Sequence, residues 1–209
     1  MISQKGASRI ASNREKPRLV LASESARRLA LLAQMGIVPD AVIPARIDEI
    51  AAKDELPRTY ALRLALAKPR SISQHQCDGS TLVLAADTVV ACGRRILPKA
   101  IKDEDVRCCL QMLSGRRHQV FTAVAVAKND GGVTRRIVMT RVTFDRLTSD
   151  AIETYVSSKE GLGKAGGYAI QGRAEAFVRS INGSYSNVVG LPLSETVKIL
   201  AGCGYRILC

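Results

Sequence analysis

Apolar, β-rich runs that alternate with stretches of helical periodicity predict an α/β fold. Three observations carry that reading. "RLVLA" (18–22) reads as a strand, and Leu29, Leu32 and Met35 follow it at helical spacing. "TLVLAA" (81–86) is a continuous apolar strand that comes after a second helical segment. Two long β-rich runs, 117–128 and 135–147, flank "NDGG", a strong turn signal.

The elements follow in order. Ser25 is the N-cap candidate of the first helix, and Gly36 stops it. "AVIP" (41–44) is a short strand. Pro57 opens a helix in which Tyr60, Ala61, Leu64 and Ala67 share a face. "DTVVACGRRILPK" (87–99) holds two β-rich runs around Gly93-Arg94, a tight hairpin turn. A two-residue turn pairs Cys92 with Arg95, and counting outward sets Thr88 opposite Lys99. Strict pairing sends Asp87 and Thr88 to opposite faces, so Asp87 and Lys99 share a pocket only if a bulge or strand end intervenes. Asp103 is expected to cap a helix lined by Val106, Cys109, Leu110 and Leu113, with Gly115 as its stop. Another helix runs from about 149 to 158, ahead of "GLGKAGG" (161–167). "YAIQG" (168–172) and "AFVRSI" (176–181) read as strands, "LSETVKILAGCG" (193–204) as a helix and "YRILC" (205–209) as a closing strand.

The 209 residues, 46% of them hydrophobic, are read as one domain over 18–209 preceded by a basic tail, 1–17, that is expected to be mobile. A formal charge of +12 favours an anionic partner such as a nucleotide, nucleic acid or acidic surface. Nucleic acid is disfavoured, because 4% aromatic residues and no Trp leave few stacking platforms and no nucleic-acid-binding signature is present. The six cysteines form no C-x-x-C pair and are expected to be free thiols. The first seventeen residues lack the apolar core of a signal peptide, and no segment approaches a membrane span, so a cytoplasmic setting without membrane attachment is expected.

Four constellations bear on chemistry. In "LVLASESARR" (19–28) a strand enters a helix through a serine-containing loop, where free N–H groups and the positive end of the helix dipole favour an anion. Arg27 and Arg28 in the first turn have the wrong sign for that dipole; either they await phosphate, with Ser23 and Ser25 as added donors, or they pair with carboxylates such as Glu24. Asp87 ends an apolar strand, where open α/β sheets place ligands; it can ligate Mg²⁺ or activate water, or serve as a turn residue. Asp48 and Glu49 can supply a metal carboxylate or simply charge a helix N-terminus, and Lys68 suits either a phosphate or its helix dipole. "GLGKAG" (161–166) satisfies G-x-G-x-x-G but follows a helical pattern and precedes a strand-like one, the reverse of a dinucleotide fingerprint, although Lys164 can still reach a ligand. His75 and His118 make no zinc motif, and "GSYSNVVG" (183–190) does not match a nucleophile elbow.

Together, "LVLASESARRLALLAQMGI", "IDE", "RLALAK", "AADTVV", "ILPKA", "LSGRRHQVFTAVAV", "KAGGYAIQG" and "INGSYSNVVGLPLSET" resemble, in order and spacing, the Maf family of nucleoside triphosphate pyrophosphatases. The resemblance implies an elongated mixed sheet flanked by helices, with a central cleft, of the ITP-pyrophosphatase type, and a homodimer among its partners. It implies cleavage of a nucleoside triphosphate between the α and β phosphates with a divalent metal, Mg²⁺ or Mn²⁺. Asp87 then corresponds to the proton acceptor; Ser23, Arg28, Lys68 and Lys99 to phosphate and metal-site residues; and Glu49, with Asp87, to the metal ligands. Arg27, Thr88 and Gln171 match the branch resembling dTTP/UTP pyrophosphatases rather than the 7-methyl-GTP branch. A Gln amide, which donates and accepts, suits the O4 and N3–H edge of uracil or thymine. Ala26, Arg46, Pro98 and Ala123 depart from the family pattern; Ala26 replaces a proline that would stiffen the loop, and Arg46 replaces an acid and bears on metal affinity. The alternatives are a 7-methyl-GTP-type pyrophosphatase, or a basic nucleic-acid-binding or division-associated protein without catalysis.

Overall fold

The computed structural model describes residues 16–72 and 80–207. The expected tail up to residue 15, together with His75, Cys77 and Cys209, lies outside the described residues.

A seven-stranded mixed sheet in the order β2-β1-β3-β5-β6-β7, with β4 attached to β3, forms the centre. Strand β1 (Arg18–Leu21) lies parallel to β2 (Ala41–Val42) and to β3 (Thr81–Cys92). Strands β5 (Arg117–Lys128), β6 (Val133–Phe144) and β7 (Val178–Asn182) extend it in antiparallel fashion. The "TLVLAA" and "DTVVAC" runs are one strand, twelve residues long, because β5 pairs along almost its entire length.

Period-two alternation sends β3 side chains to two different layers. Leu82, Leu84, Ala86 and Val90 enter the main core, with α1 (Ala26–Gln34), α3 (Asp103–Leu113), α4 (Ser149–Ser157) and α6 (Leu193–Gly202) contributing to that side. Val89 and Ala91 face Ala61 and Ala65 of α2 (Pro57–Arg70) on the other side. Leu84 and Leu32, both fully buried, each contribute about 1.5–3 kcal/mol by leaving water. Pro57 stands at the start of α2, and Pro69 in its last turn is followed by the helix end one residue later.

The hairpin pairs Cys92 with Arg95 as its turn chemistry requires, Gly93 taking φ +61°. The predicted partnership of Thr88 with Lys99 does not form: β4 (Arg95–Leu97) ends before Pro98, and Lys99 instead bridges to Ala165. Several other expectations are corrected. The N-cap of α3 is Lys102, and Asp105 rather than Asp103 receives the free N–H groups of Ile101 and Lys102. β6 spans 133–144, not 135–147. "YAIQG" forms turns whose Tyr168 and Ile170 are buried without a ladder, and Tyr205–Ile207 form no strand. Residues 173–177 make a short 3-10 helix before β7, and a short helix, α5 (Tyr185–Val189), went unpredicted. Among the described residues, Cys92, Cys108, Cys109 and Cys203 are free thiols, as expected. No described helix is long and apolar enough to cross a membrane.

Candidate active site

One edge of β3 is interrupted. β1 pairs with residues 81–84 and β4 with residues 90–92, so among the described residues Ala85 to Val89 have no strand partner on that edge. A cleft of about 410 Å³ opens at this gap, and a second lobe of about 400 Å³ adjoins it, sharing Glu49, Asp87, Thr88 and Lys99. Asp87 and Thr88 leave β3 on opposite faces, as strict alternation demands, yet both line the cleft because the missing neighbour exposes the strand from both sides.

On the α2 side the wall is charged. Asp87, 5% exposed, accepts from Lys68 Nζ at 2.5 Å through Oδ1. Lys68 Nζ also lies 3.0 Å from Glu49 Oε1, and Glu49 Oε2 lies 2.5 Å from Lys99 Nζ. Four charges of alternating sign thus run from the rim, where Lys99 is exposed, to the buried acid. Burial alone would raise the Glu49 pKa, but the hydrogen bonds and charges of Lys99 and Lys68 outweigh it and hold the carboxyl below its ordinary value. Glu49 rides on the segment between β2 and α2, which Tyr60 ties down through a hydroxyl donated to the Glu49 carbonyl. Burial, and then the charges of Asp87 and Glu49, push the Tyr60 pKa up.

On the α1 side the wall is built of hydroxyls, carbonyls and one buried cation. Arg28 donates from Nε to the Gly190 carbonyl at 2.9 Å, from Nη1 to Ser23 Oγ at 3.0 Å and from Nη2 to Thr88 Oγ1 at 3.3 Å. Ser23 Oγ also accepts from the Ser25 N–H. Ser25 occupies the N-cap position of α1 without a side-chain cap bond. Burial lowers the Arg28 pKa, opposed by Asp87 and reinforced by Arg27. Arg27, half-buried, lines the same cleft, as do Lys164 and the exposed Gln171. Lys164 is pushed down by burial and then by the positive charge of Arg27, so this end holds two cations that repel one another.

The glycine-rich 161–167 segment is tied to the Lys99 segment through Gly163 N–H to Ala100, Ala100 N–H to Lys164 and Gly166 N–H to Pro98. A Cβ at Gly166, where φ is +69°, would lie 2.8 Å from Val90, which explains the glycine. Behind it, Tyr168 lines the cleft and shares a 2.8 Å hydrogen bond with His118 Nε2. Burial lowers the His118 pKa to about 4, so the ring is neutral near pH 7.

The structure therefore gathers Ser23, Arg27, Arg28, Glu49, Lys68, Asp87, Thr88, Lys99 and Gln171 around one cleft. Among the described residues, Arg28 makes its hydrogen bonds to Gly190, Ser23 and Thr88 and forms no ion pair with Glu24 or another carboxylate. Residues that sequence reasoning missed are Thr122, Asn187 and Gly190, which back the hydroxyl wall. All three lie inside segments quoted above for the family resemblance, "LSGRRHQVFTAVAV" and "INGSYSNVVGLPLSET", but nothing in those segments singled the three residues out.

Residues 18–203 match the Maf-like protein family. The chain belongs to that family. A dTTP/UTP pyrophosphatase of Caulobacter vibrioides is 55% identical over 190 residues, covering 91% of this chain and 97% of the relative. A dTTP/UTP pyrophosphatase of Rhodospirillum rubrum is 55% identical over 188 residues, covering 90% and 89%. Among solved structures, a HAM1 protein from Coxiella burnetii aligns with TM-score 0.49 at 14% identity, over 89% of this chain and 99% of that one. The groups in the cleft of this Maf-like chain that could hold a divalent ion are carboxylates. Among the described residues, no group of three or more His, Cys, Asp or Glu is arranged to hold a metal. Glu49 and Asp87, however, both reach the same ammonium, Lys68. Two carboxylates suit a hard ion such as Mg²⁺ or Mn²⁺ that takes its remaining positions from phosphate oxygens and water.

Proposed function

We propose that this chain is a nucleoside triphosphate pyrophosphatase that hydrolyses dTTP and UTP to the monophosphate and pyrophosphate. The observation that carries the reading is the position of Asp87: a carboxylate in an interrupted sheet edge, facing a cleft lined by Lys68, Lys99, Arg27 and Lys164. The close relatives named dTTP/UTP pyrophosphatase support the same substrate pair.

The chemistry follows from the charges. A triphosphate entering the cleft repels Asp87 and Glu49, by about 4 kcal/mol per unit charge pair at about 4 Å and an effective dielectric of about 20. Lys68 and Lys99 now neutralise those acids, and the incoming phosphates compete for the same ammonium groups. Asp87, with one oxygen on Lys68, holds an attacking water through the other and takes its proton as the bond to the α-phosphorus forms. Lys68, Lys99 and Arg28 stabilise charge on the departing pyrophosphate. Glu49 and Asp87 would hold the divalent ion, which supplies further neutralisation of the phosphate oxygens. Gln171 and Arg27, which line the same cleft, are left to meet the base.

The test is direct. Purified chain, incubated with Mg²⁺ and a panel of dTTP, UTP, CTP, GTP and 7-methyl-GTP, is expected to release pyrophosphate rather than orthophosphate, fastest from dTTP and UTP. Release of orthophosphate, or a preference for 7-methyl-GTP, would overturn the assignment.

A further inference from the structure

The hydrogen bonds behind Thr88 leave its hydroxyl only one direction to point. Thr122, fully buried on β5, donates its single proton to the Asn187 carbonyl at 2.8 Å. That carbonyl belongs to the last turn of α5, where the helix itself provides no partner. Thr122 Oγ1 lies 3.0 Å from Thr88 Oγ1; with its own proton committed, Thr122 must accept, and Thr88 must donate. Among the described residues the other acceptor within reach of Thr88 is the Gly190 carbonyl, a longer contact at 3.5 Å and one already taken by Arg28 Nε at 2.9 Å. Arg28 Nη2, which can only donate, takes one lone pair of Thr88. With the proton held on Thr122, the shorter contact, what Thr88 shows the cleft is a lone pair.

Asn187 holds this direction in place. Its side chain, fully buried, donates to the Val120 carbonyl at 3.0 Å and to Thr140 Oγ1 at 3.0 Å. Thr140 in turn donates to the Ser184 carbonyl and accepts the Ser184 N–H. α5 is thereby fastened to β5 and β6, and Gly190, next to it, is fastened to Arg28.

We infer that Thr122 and Asn187 are positioning residues that make Thr88 a one-way hydrogen-bond acceptor, so that Thr88 selects a donor on the nucleoside and excludes a phosphate oxygen. Phosphate oxygens near neutral pH only accept, so they are left to the N–H donors of Lys68, Lys99 and Arg28 rather than to Thr88. This inference rests on the pyrophosphatase reading for the identity of the nucleotide. If both dTTP and UTP are substrates, the donor is one they share, which leaves the imide N3–H of the base and the 3′-hydroxyl of the sugar.

Two analogues separate these sources: N3-methyl-dTTP lacks the imide proton, and 3′-deoxy-dTTP lacks the hydroxyl. In the parent, one of the two is expected to lose about tenfold or more in kcat/KM relative to dTTP while the other stays within about threefold. In Thr122→Val the freed Thr88 proton can turn outward, so the loss should shrink to within about threefold, and Thr122→Ser, which keeps the hydroxyl, should restore the parent ratio. Thr88→Val should abolish the discrimination as well, and it carries the test if Thr122→Val does not fold. Equal handling of dTTP and both analogues by the parent, or an unchanged ratio in Thr122→Val and Thr88→Val, would overturn the inference. Dissociation constants for the three nucleotides, measured by calorimetry, give the same comparison if nucleotide binds without turnover; that result would defeat the pyrophosphatase reading and leave this one decided by the binding ratios.

Discussion

The two walls of the cleft start from adjacent residues, Asp87 and Thr88, and are built on opposite principles. Behind Asp87 stand ion pairs: Lys68, Glu49 and Lys99 in sequence, all reachable from the cleft. Behind Thr88 stand hydrogen bonds whose last acceptors are backbone carbonyls, at Asn187 and Ser184, that no ligand replaces. Charges in a ligand's path can change partners; hydrogen bonds among fully buried groups behind the surface cannot without leaving a further buried polar group unmet. The molecule thus separates a wall that rearranges when an anion arrives from a wall that stays as built.

The sharpest way to break this contrast is Asp87→Asn. With the acid gone, pyrophosphate release from saturating dTTP and Mg²⁺ is expected to fall by about 10²–10⁴-fold, measured as initial rate. A rate within a few-fold of the parent would mean that the charged wall is not where the reaction occurs. Lys68→Met comes next. It removes the ammonium shared by two acids, one of them buried, and is expected to cost about 3–5 kcal/mol in a urea titration, with turnover falling about a hundredfold. Asn187→Ala probes the other wall. Losing two buried hydrogen bonds should lower stability by about 1–3 kcal/mol, and turnover at fixed temperature should fall about tenfold even where the protein is fully folded.

The smallest effect tests whether the rim belongs to the charged wall. Glu49 has a depressed pKa in the folded chain, so its ionised form adds stability above the ordinary glutamate range, and that addition disappears as pH falls through the folded value. The gap in urea midpoint between the parent and Glu49→Gln should hold steady from pH 7 downward, narrow below about 4.3 and close under more acidic conditions. A gap independent of pH would detach Glu49 from the line of ion pairs.

Much of this arrangement was legible beforehand. Strong periodicity gave β1, α1, β3, β5 and the helix at 193, and Gly93-Arg94 gave the hairpin register, because each depends on neighbours in sequence. The ordered motifs, read as a family resemblance, gave Ser23, Arg28, Lys68, Asp87 and Lys99 as companions. Two kinds of feature escaped. "YAIQG" alternates buried and less buried residues as a strand does, but its burial comes from packing around His118 and Phe144 rather than from a ladder. The interrupted edge of β3 depends on where β1 stops and β4 begins, and Asn187 matters through contacts with Val120 and Thr140, 67 and 47 residues away. No local pattern encodes either one.

The unbroken β3–β5 ladder carries an implication for how this chain can vary over time. Side chains along β3 swap faces at every step, so inserting or deleting one residue between Thr81 and Asp87 would deliver a hydroxyl to α2 and a carboxylate to Thr122. Lengths in the hairpin turn at Asn129 and Asp130 can drift without such a penalty. The count of residues leading to Asp87 is therefore as constrained as the identity of the residue itself.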